Sequence, residues 1–163
     1  MNKKEIGREA EKEFQDYLNQ HKIPFWYIEQ EKESYSQALK QYKVQRPDYC
    51  IFIPNLGFIL IDVEHNVPLK KYKKFCISDE ETQRYNNLEK YFNMKVWFAF
   101  SNQEIHYTTW YLIPVSRVMT LRNRYLVKAK SYISTPIDEF IQVSCSENLK
   151  KILRNKHLNV QYF

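Results

Sequence analysis

The stretch that most limits what this chain can fold into runs from Gln45 to His65, QRPDYCIFIPNLGFILIDVEH. Pro47-Asp48 opens an apolar run from Tyr49 to Ile53, Pro54-Asn55-Leu56-Gly57 reverses it, and Phe58-Ile59-Leu60-Ile61 leads back to Asp62 and Glu64. Turn-forming residues between two short apolar runs predict a β-hairpin. Side chains alternate along a strand, so Asp62 and Glu64 project to one side while Ile61 and Val63 project to the other. The hairpin brings Asp48, at the start of its first strand, beside the end of its second. Three carboxylates then converge on one end of a sheet. Such clustered like charges repel one another and are tolerated chiefly where a cation sits among them. A lone Asp-x-Glu more often marks a strand emerging into solvent. The separate Pro-Asp at a hairpin's distance is what sets this pattern apart.

The flanking sequence supplies elements to hold such a hairpin. Ile6, Ala10, Phe14, Tyr17 and Leu18 form one apolar stripe at helical spacing over residues 3–20. Phe25 to Ile28 reads as a first strand, and 29–45 as a polar loop with a short helix around Tyr35 to Tyr42. Ser78 with Glu81 three residues on fits a capping box. The helix it opens carries Tyr85, Leu88 and Phe92 on one face. Lys95 to Phe100 and His106 to Val115 read as strands joined by a turn, and Trp97, Trp110 and Tyr111 within them as core. Further on, Tyr132-Ile133 reads as a short strand, and Ser146 as the cap of a helix through Leu149, Ile152 and Leu153. The order predicts an α/β fold with a central mixed β-sheet flanked by helices.

Composition narrows the function classes. The 163 residues carry a formal net charge of +6, which suits a polyanionic partner. Only two glycines occur, Gly7 and Gly57, which excludes a glycine-rich phosphate-cradling loop. Cys50, Cys76 and Cys145 are scattered, with no spacing suited to zinc or to a disulfide framework. No apolar run approaches about 18 residues and no hydrophobic segment follows the charged start, so a cytoplasmic protein with no membrane span is expected.

The hairpin resembles the core of the PD-(D/E)xK, or restriction endonuclease-like, nuclease superfamily. That core places a Pro-Asp on one strand and an Asp/Glu-x-Lys on the next, which Pro47-Asp48 and Asp62-Val63-Glu64 match except that Glu64 stands where lysine is usual. Gly7-Arg8-Glu9-Ala10-Glu11 resembles the opening of archaeal Holliday-junction resolvases, in which an early glutamate joins the metal site. Periodicity alone leaves Glu11 and Glu13 equal candidates, on opposite flanks of the apolar stripe; the resemblance selects Glu11. It covers roughly residues 5–115 and implies an α-β-β-β-α-β core, within a single domain spanning 1–163. The remainder, 116–163, is an extension with three roles open to it: completing the fold, forming a homodimer interface, or contacting DNA.

The resemblance implies a divalent-metal-dependent DNA endonuclease. Asp48, Asp62 and Glu64 would bind Mg²⁺, with Mn²⁺ able to substitute, and Glu11 would join them as a catalytic residue. Glu64 cannot donate the positive charge of the usual lysine, although some restriction endonucleases carry glutamate there. Lys70, Lys71, Lys73 and Lys74 are the candidates for a displaced cation, and spacing selects none of them. Gln83 is the nominal counterpart of a glutamine that related nucleases carry on the next helix, but it points away from the apolar face, towards which Glu81 and Arg84 lie. Tyr85 reads as a core residue, and His65 as a surface or packing residue. The competing reading is a catalytically inactive DNA-binding module on the same fold.

Overall fold

The computed structural model describes residues 2–55, 57–121 and 123–150. Helix α1 (Lys3–Gln20) is started by Asn2, whose side chain accepts from the Glu5 amide while the Glu5 carboxylate accepts from the Asn2 amide. Strand β1 (Phe25–Tyr27) follows, then a short helix α2 (Gln37–Lys40), and the hairpin of β2 (Tyr49–Ile53) and β3 (Gly57–His65). Strand β4 (Lys74–Ser78) leads into helix α3 (Asp79–Phe92), then β5 (Val96–Ser101), β6 (Thr109–Pro114), helix α4 (Val115–Thr120), β7 (Arg124–Val127), β8 (Lys130–Pro136) and β9 (Ile141–Ser144).

The principal sheet has six strands in the order β1-β2-β3-β5-β6-β9. All neighbours pair antiparallel except β3 with β5, so the sheet is mixed, as the element order predicts. Helix α1 covers one face with Ala10, Phe14, Tyr17 and Leu18, which pack on Tyr49, Ile59, Ile61, Trp97 and Trp110. Helices α3 and α4 cover the other face, where Tyr85 and Leu88 meet Leu60, Phe98, Phe100 and Ile113. Burying a large apolar side chain contributes on the order of 1.5–3 kcal/mol, so these two layers account for much of what holds the sheet.

Strand directions decide where a site can form. β3, β5 and β9 end at one edge of the sheet, and β2 and β6 begin there. The connections 28–48, 66–73 and 102–108 all open at that edge, whereas the opposite edge is closed by short links such as 54–56 and 93–95. Long loops over a rigid sheet end are where binding and catalytic groups most often collect.

The structure departs from the sequence reading in several places, and β4, α4 and β9 are elements absent from that reading. Residues 124–136 form two strands where one short strand is expected, and they join β4 in a second, three-stranded sheet, β4-β8-β7. His106 and Tyr107 lie outside β6, both at positive φ. Ser146 lies in a turn rather than at a helix start, and Ile152 and Leu153 fall outside the described residues.

Candidate active site

The site is built from the register of the hairpin. Tyr49 stands opposite Ile61, and the Asp48 amide donates to the Ile61 carbonyl at 3.0 Å, which brings Asp48 across from Asp62. The Asp48 carboxylate reaches over the strand and accepts from the Val63 amide at 2.8 Å. Asp62 and Glu64 share the face of Leu60, which is the face covered by α3. The first turn of α3 lies above them. Ser78 caps it by accepting from the Glu81 amide at 3.3 Å. The Glu81 side chain, which a capping box would turn back on Ser78, instead accepts from Gln45 Nε2 at 2.5 Å. One oxygen from each of Asp62, Glu64 and Glu81 lies within 4.8 Å of the others.

Asp62 is the centre of this group. It is buried, with one oxygen accepting from the Tyr85 hydroxyl and the other, Oδ2, without a hydrogen-bond partner among the described residues. Burial pushes its carboxyl well above the ordinary range, and the negative charges of Asp48, Glu64 and Glu81 push the same way against the lowering effect of Tyr85. The Asp48 carboxyl is pushed up to about 7 by burial, opposed by the Val63 amide bond and reinforced by Glu11 and Glu81. A buried carboxylate with one bare oxygen, beside two more carboxylates, is the donor set that a hard oxygen-seeking divalent cation fits.

The other residues singled out from sequence are distributed around this centre. Glu11 is half-buried and accepts from the Tyr27 hydroxyl at 3.1 Å, whereas Glu13 is exposed. Glu11 acts on Asp48 by charge and stands apart from the Asp62–Glu64–Glu81 oxygens. Gln83 bonds Asn87 at 3.3 Å. His65 accepts from the Gln103 amide at 3.4 Å, and Trp97 and Trp110 are buried. Two residues at the centre went unassigned in the sequence. Glu81 matches a capping box and lies towards the apolar face on the helical wheel, and neither feature by itself marks a ligand. Tyr85 packs its ring against Phe98 in the core, as its stripe predicts, yet its hydroxyl touches Asp62, Gln45 and the Arg46 carbonyl.

Clefts open on both sides of the start of α3. One, of about 780 Å³, is lined by Asp48 and Asp62 together with Lys40, Lys43, Arg46 and Arg84. The other, of about 690 Å³, is lined by Glu64 and Glu81 together with Lys130. None of Lys70, Lys71, Lys73 and Lys74 lines either cleft, and Lys70 pairs instead with Glu104 at 2.8 Å. The positive charge around the carboxylates comes from the 40–46 segment, α3 and β8.

No family model matches the chain, and no curated protein matches it. Among solved structures it is similar to Hjc, a Holliday junction resolvase of the archaeal hyperthermophile Archaeoglobus fulgidus. The identity is 13%, over 78% of this chain and 88% of that one, with a TM-score of 0.50. The fold is restriction endonuclease-like. The chain is also similar to D212, a nuclease from a fusselovirus, at 12% identity over 85% of this chain and 80% of that one, with a TM-score of 0.45. The hairpin that carries Asp48, Asp62 and Glu64 is β2–β3 of this sheet.

Tyr85→Phe tests how the centre is held. It removes the donor to one Asp62 oxygen when the other already has none, and it strips Gln45 of an acceptor. A loss of about 1–3 kcal/mol is expected in urea unfolding. An unchanged midpoint means that the hydroxyl contributes nothing.

Proposed function

We propose that this protein is a divalent-metal-dependent endonuclease that hydrolyses DNA phosphodiester bonds. The observation that carries the reading is the bare, buried Oδ2 of Asp62 beside the Glu64 and Glu81 oxygens. Without a cation this arrangement keeps a buried carboxyl oxygen unpaired among like groups for no structural return. The restriction endonuclease-like fold and the cleft lined by Lys40, Lys43, Arg46 and Arg84 support a polyanionic substrate, and the likeness to a Holliday junction resolvase supports DNA.

Asp62, Glu64 and Glu81 would hold the ion, with Asp48 joining from the other flank of Asp62 and Glu11 acting beyond it. Mg²⁺ is the proposed cofactor, with Mn²⁺ able to replace it. A bound ion of this kind supplies charge neutralisation at phosphate oxygens and makes water more acidic. The chain's own groups do the rest. Tyr85 fixes the orientation of Asp62 through its hydroxyl, and the Val63 amide fixes that of Asp48. Gln45 orients Glu81. Lys40, Lys43 and Arg46 line the cleft into which a strand's phosphates would run. Glu64 has no positive charge to lend, so it serves as ligand or base rather than in the role a lysine would fill. A cytoplasmic location follows from this reading.

Plasmid and branched-DNA cleavage in Mg²⁺ or Mn²⁺ tests the activity directly. If supercoiled, branched and single-stranded DNA all stay uncut in both metals, the enzyme reading is lost and the inactive DNA-binding module takes its place. Glu81→Gln then tests the centre assigned here. It is expected to lower cleavage by about 100-fold, the upper end of what weakened metal support costs. Glu80→Gln, one residue away and exposed in an ion pair with Arg84, should stay within about twofold of wild type. Equal effects of the two substitutions would remove Glu81 from the site.

A further inference from the structure

The β7–β8 hairpin is the part of the molecule that the carboxylate centre leaves unexplained. Its two-residue turn is Lys128-Ala129, both at positive φ (47° and 65°), the conformation of a tight hairpin turn built here without glycine or asparagine. Such residues resist that region, so the sharp projection is maintained against local preference. Next to the turn stand Leu126, 74% exposed, and Val127, 46% exposed. Consecutive strand residues point to opposite faces, so an apolar side chain stands in water on each side of the projecting turn.

The hairpin is also fixed in place. Arg124 and Ser131 both donate to the Asp79 carboxylate at the start of α3, at 3.1 and 2.9 Å. Tyr125 and Tyr132 stack across the pair at 6.0 Å, and Ile133 is buried beneath them. Leu126 pairs with Ser131 and so shares the face turned to α3. Ala129, Lys130 and Ser131 form one wall of the cleft that Glu64 and Glu81 bound on the other side. From Asn123 to Pro136 the chain carries Arg124, Lys128 and Lys130 and no acidic residue.

We propose that this hairpin is a finger that engages DNA bases: Leu126 on the face turned to α3 and Val127 on the opposite face wedge between unpaired bases next to the cut, making the protein selective for branched or frayed DNA over continuous duplex. The inference rests on the nuclease reading of the carboxylate site. An apolar wedge gains contact from an unstacked base and little from an intact stack, where insertion must first separate base steps at a few kcal/mol. Lys128 and Lys130 flank the wedge with charge suited to phosphates. The same charges disfavour a second copy at this sheet edge, because two basic hairpins would face each other.

The test is fluorescence anisotropy in Ca²⁺ with two labelled DNAs of equal length, a fork with unpaired arms and a full duplex. Leu126→Ser, at an exposed position, should leave the melting temperature unchanged. It should weaken binding to the fork about 10-fold while leaving the duplex within about twofold. Lys128→Ala should weaken both two- to threefold and reduce the slope of log affinity against log salt by about one. Equal effects of Leu126→Ser on fork and duplex, or none on either, overturn the proposal. So does a wild-type dimer in sedimentation that Leu126→Ser converts to monomer. Mg²⁺-dependent cleavage of the fork by wild type, measured alongside, separates the two readings. If the wild type cuts the fork and Leu126→Ser cuts it equally well, the finger alone fails. If the wild type neither binds nor cuts, the nuclease reading falls with it.

Discussion

Asp62→Asn is expected to give a metal-free protein that is more stable than wild type and that no longer cuts DNA. In the wild type a buried carboxyl must either ionise beside Asp48, Glu64 and Glu81 or hold a proton that water would take. Asparagine keeps the shape, still accepts from Tyr85, and turns an amide donor towards the position of the bare Oδ2. Removing that conflict is expected to add about 2 kcal/mol, the usual gain when a strained functional group is relaxed. For a chain of this length it raises the melting temperature by about 4–8 °C. Cleavage is expected to fall about 10³-fold or more, equal to about 4 kcal/mol of barrier. Calorimetry in EDTA and a cleavage assay in Mg²⁺ read the two halves separately. A variant no more stable than wild type would mean that Asp62 is not under electrostatic strain, and undiminished cleavage would remove it from the chemistry.

The second large effect is a reversal of pH dependence by metal. The Asp48 carboxyl is pushed up to about 7 when folded, against about 3.9 in an unfolded chain. The folded state therefore keeps a proton that the unfolded state releases. This contribution is complete below about pH 4, declines as pH rises towards 7, and is flat above. At about 1.4 kcal/mol per unit it amounts to at most about 4 kcal/mol. Asp62, raised in the same direction, adds to it. A bound cation requires the deprotonated carboxylates, so its stabilisation grows with pH over the same window. Melting temperature in EDTA should fall between pH 5.5 and 7.5 by more in wild type than in Asp48→Asn. The increase produced by Mn²⁺ should be several-fold larger at pH 8 than at pH 5.5. A metal shift independent of pH would mean that these carboxylates are not its ligands.

Much of the fold and part of the centre could be read from residue order, and the reasons differ by element. The β2–β3 hairpin was legible because two apolar runs flank a Pro-Asn-Leu-Gly reversal, while the register that puts Asp48 across from Asp62 is set by the strand pairing. Helix α1 was legible from its stripe. The β7–β8 hairpin was not, because its turn is Lys128-Ala129, and nothing in that pair announces a left-handed backbone. His106 and Tyr107 misled in the same way, extending β6 backwards by three residues. With two glycines in the chain, nine other described residues take positive φ, so turn chemistry is a poor guide here. Glu81 was hidden for another reason. Its spacing from Ser78 satisfied a local rule, and only the packing of α3 over the sheet reveals that the carboxylate serves a neighbour 19 residues earlier, Asp62.

The uneven distribution of connections around the principal sheet bears on how such a protein can diverge. At the carboxylate edge the segments 29–44, 66–73 and 102–108 can be lengthened or rewritten while every strand ladder stays intact. New grips on a substrate can arise there without renegotiating the core. The 54–56 link at the other edge has no such latitude. One residue added there slips β2 against β3, sends alternate side chains to the wrong face, and parts Asp48 from Asp62. Descendants of this chain are thus free to change what they hold and bound to keep how they are hinged.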